Sequence, residues 1–393
     1  MFIFKFETRE ITDLETLEIY EVDQDSANIL HSYLEGTLPE SENESLQIIK
    51  KALEDNLIHL NDLQLWTEDT FRLNTPIVHI IQNCNSPCTI CDCWKTRERN
   101  IRTAVELYPS FKKMSEYGAS SIMVSGGEPT LNPELEQIID DIHSLGMGVE
   151  LNTNGTLLSR NKYLYKKNIE ALIVSIDGFS PEEYKQIRGI NKFETVCNNI
   201  IEFKKYSPET IVGIRVTLTK YTLNQLDKLI DLCKKLNIDS VGFNPIDVTS
   251  SSFSRNMNFE RSMLLRNRLF PDLDYLNDFI ASLENTESDN YKIIEEASSK
   301  SLFSWNVSQF KKCANYYKGI LTSEETLNSS EPCNFPNYSL VVDYDQTIKP
   351  CFYAPAFSNL KDFPNDTWDL AKIKEHLRNT GICKGCRGKV FCG

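Results

Sequence analysis

Between residues 76 and 247 the apolar positions fall into short runs separated by longer amphipathic stretches, and this alternation repeats. The runs Ile77–Gln82, Ser121–Ser125, Val149–Asn152, Ala171–Ile176, Val212–Leu218 and Ser240–Phe243 have the length and alternation of strands. Helical patterns lie between them. One is Asn132–Leu145, with Pro133 in its first turn and Gly146 as its stop. Another is Thr222–Leu236, which places Leu226, Leu229, Ile230 and Cys233 on one face. Six strand–helix units predict an α/β fold, a parallel sheet wrapped by helices, either open or curled as a partial (β/α)6 barrel. No short-period repeat runs through the chain.

The flanks differ from this core. In residues 1–75, Phe2 to Phe6 and Leu17 to Val22 alternate as strands do. Ser26 to Leu34 and Glu44 to Leu57 carry apolar residues at helical spacing, for example Leu46, Ile49, Leu53 and Leu57. The pattern predicts a small α+β domain. Residues 248–330 read as a polar, mostly helical linker entered through the Ser-rich Thr249–Ser254. Residues 331–393 are cysteine-rich, with a hairpin-like pair of runs around Tyr344–Gln346.

Charge separates the first of these zones from the rest. The chain of 393 residues carries a net charge of −14, and residues 1–75 hold 17 acidic against 5 basic residues, a net of −12. This is either a solvated acidic face or a surface that steers a basic partner. It disfavours nucleic acid, whose phosphates want the opposite sign. No apolar stretch approaches the ~18 residues of a membrane span, and the acids that soon follow Met1 do not suit a secretory signal. The expected setting is the reducing cytoplasm, where twelve cysteines are not a disulfide framework and clustered ones suggest metal ligation.

Cys84, Cys88 and Cys91 stand in CNSPCTIC directly after the first core strand. Their spacing lets three thiolates serve one centre from a single loop, as in iron–sulfur proteins, and leaves one iron of a four-iron cube open. A zinc loop, with Cys93 as fourth ligand, is the alternative. The next three strands end in Ser125-Gly126-Gly127-Glu128-Pro129, Asn152-Thr153-Asn154-Gly155 and Ser175-Ile176-Asp177-Gly178, with Arg188 thirteen residues beyond Ser175. Two glycines let a ligand approach the backbone, a carboxylate can accept from an ammonium group, and the small polar residues suit hydroxyls. All these clusters fall at C-terminal strand ends, where α/β barrels place active sites.

CNSPCTIC together with GGEP, LNTNG and VSIDG resembles the radical S-adenosylmethionine (SAM) superfamily over residues 76–247. The resemblance implies an enzyme that cleaves SAM reductively to a 5′-deoxyadenosyl radical, which abstracts a substrate hydrogen. It implies that Cys84, Cys88 and Cys91 bind a [4Fe-4S] cluster and that Gly126, Gly127 and Glu128 meet the amino group of SAM. Thr153 and Asn154 would lie near its ribose, Ser175 and Arg188 near its carboxylate, and the backbone around Ile90 and Asn244 near its adenine. An electron donor such as flavodoxin or ferredoxin would serve the cluster.

The tail, 331–393, is similar to the twitch and SPASM auxiliary-cluster domains of that superfamily. Cys333, Cys351, Cys383 and Cys386 would hold one auxiliary [4Fe-4S] cluster, a zinc ribbon being the alternative. Two features depart from the pattern: Gln346 stands where a glycine is usual, and the chain lacks the further cysteines of a second cluster. The roles of Cys313 and Cys392 stay open, while Cys197 and Cys233 lie in apolar helical stripes and read as core. Residues 1–75 resemble the winged-helix leader-recognition domains of ribosomal-peptide maturases, which bind a leader by strand addition. The expected substrate is therefore a precursor peptide with a basic leader. A small-molecule radical SAM dehydrogenase and a zinc-stabilised binding protein are the competing readings.

Overall fold

The computed structural model describes residues 2–6, 9–13, 19–38, 44–55, 58–60, 63–65, 73–96, 100–248, 252, 254–322, 339–352 and 354–359. The chain divides into two compact units, residues 1–74 and 75–393.

In the first unit, β1 (Phe2–Lys5), β2 (Glu10–Asp13) and β3 (Ile19–Glu21) form an antiparallel meander, and β4 (Leu63–Leu65) joins β1 in parallel, giving the order β3-β2-β1-β4. Helices α1 (Gln24–Leu34) and α2 (Glu44–Glu54) pack their apolar stripes on it, so that Phe4, Ile11, Leu30, Leu46, Ile58 and Leu63 share one core. Asp23 caps α1 by accepting from the amides of Asp25 and Ser26. β2 and β4 have no counterpart among the runs read from sequence.

The second unit is built on six consecutive parallel strands: β5 (Ile77–His79), β6 (Ser121–Ser125), β7 (Gly148–Thr153), β8 (Ala171–Ser175), β9 (Ile211–Leu218) and β10 (Ser240–Pro245). They pair in chain order, each joined to the next by a crossover connection. Along β7 the burial alternates: Val149, Leu151 and Thr153 are buried on one face, while Glu150 and Asn152 lie on the other. The helices on the outer face include α3 (Ala104–Glu116), α4 (Leu135–Ser144), α5 (Pro181–Arg188), α6 (Phe193–Tyr206) and α7 (Leu226–Leu236). α4 starts two residues after Pro133, later than expected, because Pro129–Leu131 form a separate 3-10 turn capped by Glu128. α7 buries Leu226, Leu229, Leu232, Cys233 and Leu236, and Asn237 stops it in the left-handed conformation at φ 52°.

Residues 248–330 contribute α8 (Phe259–Leu269), α9 (Leu273–Glu284), α10 (Asp289–Ser299) and α11 (Val307–Thr322). The sheet then grows on its other side. β11 (Val341–Val342) pairs in parallel with β5, and β12 (Thr347–Lys349) and β13 (Ser358–Asn359) follow antiparallel. The β11–β12 turn carries Gln346 at φ 68°, a region favouring glycine, with its amide bonded to the Asp343 carbonyl at 2.8 Å.

Candidate active site

A cavity of about 540 Å³ opens at the C-terminal ends of the parallel strands. Cys84, Cys88, Cys91, Ile90, Gly126, Gly127, Thr153, Asn154, Ser175, Arg188 and Asn244 all line it. Residues separated by 160 positions in the chain thus meet in one space.

The cysteine loop is held from several sides. Thr89 donates its amide to the Ile187 carbonyl at 2.8 Å, and Ser86 its hydroxyl to the Arg188 carbonyl at 3.2 Å, fixing the loop to the end of α5. Gly189 ends α5 at φ 72°, and a Cβ there would lie 2.3 Å from the Pro87 carbonyl oxygen. From α8, Arg261 donates to the Thr89 carbonyl at 2.7 Å and pairs with Asp92 at 2.9 Å. Gly126 and Gly127 have a role the sequence did not suggest. Their missing side chains make room for the backbone of Ile81, Gln82 and Asn83, which runs within 2.2–2.3 Å of where Cβ atoms would stand.

Each sulfur of the loop receives an N–H donor. Asn154 Nδ2 is 3.9 Å from Cys84 Sγ, Arg188 Nη1 is 3.7 Å from Cys88 Sγ, and the Cys93 amide is 3.5 Å from Cys91 Sγ. Burial, joined by the nearby Glu128 charge, pushes the Cys84 thiol up to about 12, and burial also raises Cys88. Bare thiols would stay protonated here, whereas coordinated cationic iron would deprotonate them. Among the described residues no three Cys, His, Asp or Glu side chains converge on a single metal-ion position. A four-iron cube takes each thiolate on a different iron, so three cysteines of one loop suit it without meeting at one point. The donor set therefore fits a cluster on Cys84, Cys88 and Cys91, with N–H groups directed at its sulfurs.

Glu128 is held by the protein's own donors. Its side chain is fully buried and absent from the cavity wall. One carboxylate oxygen accepts from the Thr130 amide at 3.1 Å and from the hydroxyls of Thr130 and Thr153 at 2.5 and 2.6 Å; the other accepts from the Asn154 amide at 2.7 Å. Glu128 thus ties the β6 end to the β7 end and orients Thr153 and Asn154. Burial raises its pKa against these bonds.

Arg188 pairs with fully buried Asp177 at 2.7 Å, and Asp177 also accepts from the Thr217 amide at 2.6 Å. Burial opposes the Arg188 charge, but Asp177 and Cys88 outweigh it and hold the guanidinium protonated.

Further cavity residues were not read from the sequence. Arg215 lies on the inner face of β9, where an arginine in the apolar run IVGIRVTL was the available signal. Asp247 and Arg255 form a buried pair at 2.6 Å. Asp343, after β11, accepts from Lys349 at 2.5 Å and faces His79 Nδ1 at 3.1 Å, and Phe352 lies near the His79 ring. Of the tail cysteines only Cys351 falls among the described residues; it is half-buried beside cavity-lining Phe352. Cys333, Cys383, Cys386 and Cys392 lie outside them. Cys197, Cys233 and Cys313 are buried. No helix among the described residues is long and apolar enough to cross a membrane.

Comparison with known proteins agrees with this geometry. The probable GTP 3′,8-cyclases of Sulfurisphaera tokodaii and Methanococcus maripaludis are 26% and 32% identical over 194 and 177 residues. These matches cover 48% and 42% of this chain, and the chain spans only 61% and 55% of those proteins' lengths. The fold is shared with Streptococcus suis SuiB bound to its precursor peptide SuiA, at a TM-score of 0.56 and 15% identity over 98% of this chain and 89% of SuiB. It is shared also with anSMEcpe bound to AdoMet, at 0.54 and 18% over 81% of this chain and 88% of that one. Residues 78–233 match the Radical SAM superfamily, and with the three-cysteine loop at the strand ends they constitute a radical SAM domain.

Proposed function

We propose that this chain is a radical SAM enzyme that modifies a ribosomally made precursor peptide. In this reading residues 1–74 bind the leader and the cavity receives the segment to be changed. The observation that carries the proposal is the first unit itself. It has its own core and presents β3 at a sheet edge, the geometry used for strand addition. Its net charge of about −12 favours a leader with lysines or arginines. The full-length fold likeness to SuiB, which was crystallised with a precursor peptide, supports the same reading.

When bound, the cluster and SAM would supply one-electron cleavage of the sulfonium and a carbon radical that takes a hydrogen atom from substrate. The chain's own groups would orient the cofactor. Cys84, Cys88 and Cys91 would hold the cluster, Ser175 and Arg188 the SAM carboxylate, the backbone of Gly126 and Gly127 its amino group, and Thr153 and Asn154 its ribose. Glu128 acts behind them by fixing Thr153 and Asn154. Cys351, with Cys333, Cys383 and Cys386, would hold an auxiliary cluster.

The test is removal of residues 1–74 from the reconstituted protein. Uncoupled formation of 5′-deoxyadenosine should persist while turnover of the full-length precursor is lost. Equal loss of both activities would make the first unit a structural cover and overturn the leader-binding reading. Assay of iron, sulfide and zinc after anaerobic reconstitution separates this enzyme from a zinc-stabilised binding protein.

A further inference from the structure

Four cationic side chains line the cavity: Arg188, Arg215, Arg255 and Lys349. Three of them are committed, Arg188 to Asp177 at 2.7 Å, Arg255 to Asp247 at 2.6 Å and Lys349 to Asp343 at 2.5 Å. Among the described residues, no hydrogen bond or ion pair reaches the Arg215 guanidinium.

The surroundings of Arg215 are arranged to hold that group in place without neutralising it. Arg215 pairs across the sheet with Ser175 on β8 and with Gly242 on β10, so all three stand at one level of the inner face. Gly242 supplies the space. A Cβ added there would press on the guanidinium, 3.1 Å from Nε and 3.2 Å from Cζ. The opposing charge that acts on Arg215 is Glu150 on β7, which makes no ion pair with it among the described residues; burial favours the neutral form of that acid against the pull of Arg215, and its carboxylate accepts from the Ser121 hydroxyl at 3.3 Å. Burial also lowers the Arg215 pKa, and the Glu150 charge offsets this only in part.

A charge in this position is tolerable while water fills the cavity. When a ligand displaces that water, an unmatched guanidinium becomes costly, and a carboxylate on the ligand restores the balance with paired, charge-assisted hydrogen bonds. Arg188 serves the cysteine-loop side of the cavity, next to Cys88. Arg215 stands on β9, between Ser175 of β8 and Gly242 of β10. We infer that Arg215 is the receptor for a carboxylate carried by the substrate, so that the cavity selects an acidic residue for modification. This inference deepens the precursor-peptide reading and rests on it for the identity of the substrate.

The probes are acetyl-glutamate amide and acetyl-glutamine amide, which differ only in the carboxylate, tested by equilibrium dialysis against the SAM-loaded, reconstituted enzyme. The glutamate probe should bind at least tenfold more tightly. The preference should vanish in Arg215→Gln, persist in part in Arg215→Lys, and weaken in Gly242→Ala, which keeps the charge and shifts its position. Thermal unfolding and SAM binding are measured on each variant, and both should stay close to those of the unmodified enzyme. Equal binding of the two probes, or a preference that survives Arg215→Gln, overturns the inference. A tenfold loss of SAM affinity in Arg215→Gln overturns it too, by giving the guanidinium to the cofactor. Because the probes carry no leader, their result stands apart from the truncation experiment: discrimination by the cavity with no precursor turnover would reject the peptide reading and keep the receptor.

Discussion

Gly127 lies so close to Asn83 that a Cβ at position 127 would stand 2.2 Å from the Asn83 carbonyl oxygen. The Gly127 amide donates to the Ile81 carbonyl at 2.7 Å and the Glu128 amide to that of Asn83 at 2.9 Å, so the base of the cysteine loop is laced to the end of β6. Gly127→Ala should therefore force the two backbones apart, costing about 1–3 kcal/mol, as overpacking does. The measurement is chemical denaturation of the metal-free protein, with iron retention after reconstitution as a second readout. If the glycine served only to admit a ligand, the metal-free protein would keep its full stability.

Glu128→Gln separates a structural from a ligand-binding carboxylate. A carboxamide can satisfy only the donors at one oxygen, and its NH2 would face either the Asn154 amide or the Thr130 and Thr153 donors. The expected loss is about 1–3 kcal/mol of stability, from a buried donor left without an acceptor. Thermal unfolding measures it. Because Glu128 fixes Thr153 and Asn154, SAM affinity should fall together with stability; a loss of affinity without a loss of stability would return Glu128 to the ligand.

Asp343 gives a pH dependence with a definite sign. Burial raises its pKa, but His79 and Lys349 outweigh burial and hold the carboxyl below its ordinary value. A depressed carboxylate contributes stability above its unfolded pKa of ~3.9, and that contribution fades as pH falls towards the folded value. Asp343→Asn should thus cost about 1–3 kcal/mol near pH 6–7, with the difference from the unmodified protein shrinking below about pH 4. Urea unfolding of the metal-free protein across that range tests this. A difference that does not change with pH would show that the ionised pair contributes nothing.

The parallel strands were legible because β6 to β10 are apolar runs closed by polar clusters, and those clusters mark the strand ends where the cavity lies. Local pattern reads what local sequence encodes. It could not reveal β2 and β4 in the first unit, each three or four residues long and defined by pairing with β1 rather than by any run of its own. The contacts of Glu128 were hidden for a related reason: its position in the motif was visible, but the four donors it accepts from lie up to 26 positions away. Arg215 went unnoticed because an isolated charge in a strand acquires meaning only from its alternation towards the cavity and, among the described residues, from making no ion pair there. Asp343 depends on β11 docking beside β5, across more than 260 residues of chain.

The hydrogen-bond register of the first unit allows leader binding to be tested without damaging the fold. The Val22 amide donates to the Arg9 carbonyl at 2.8 Å, so these two are a hydrogen-bonded pair of the β2–β3 ladder. Hydrogen-bonded pairs alternate along an antiparallel ladder, and Ile11 opposite Tyr20 is therefore another such pair. Between them, Glu10 opposite Glu21 is a non-bonded pair, and the Glu21 N–H points away from β2 towards the free side of β3. Proline at an edge position whose N–H faces outward removes a donor to an incoming strand and leaves the existing ladder whole. Glu21→Pro should accordingly leave thermal unfolding and uncoupled deoxyadenosine formation close to those of the unmodified enzyme, while weakening precursor binding about tenfold, the worth of one to two backbone hydrogen bonds. Tyr20→Pro is the counterpart: it removes an inward donor and should destabilise the first unit itself. Isothermal titration of the precursor into each variant, repeated at low and high salt, decides the case. Unchanged affinity in Glu21→Pro would place the leader elsewhere on the protein, and an affinity indifferent to salt would show that the acidic surface plays no part in its capture.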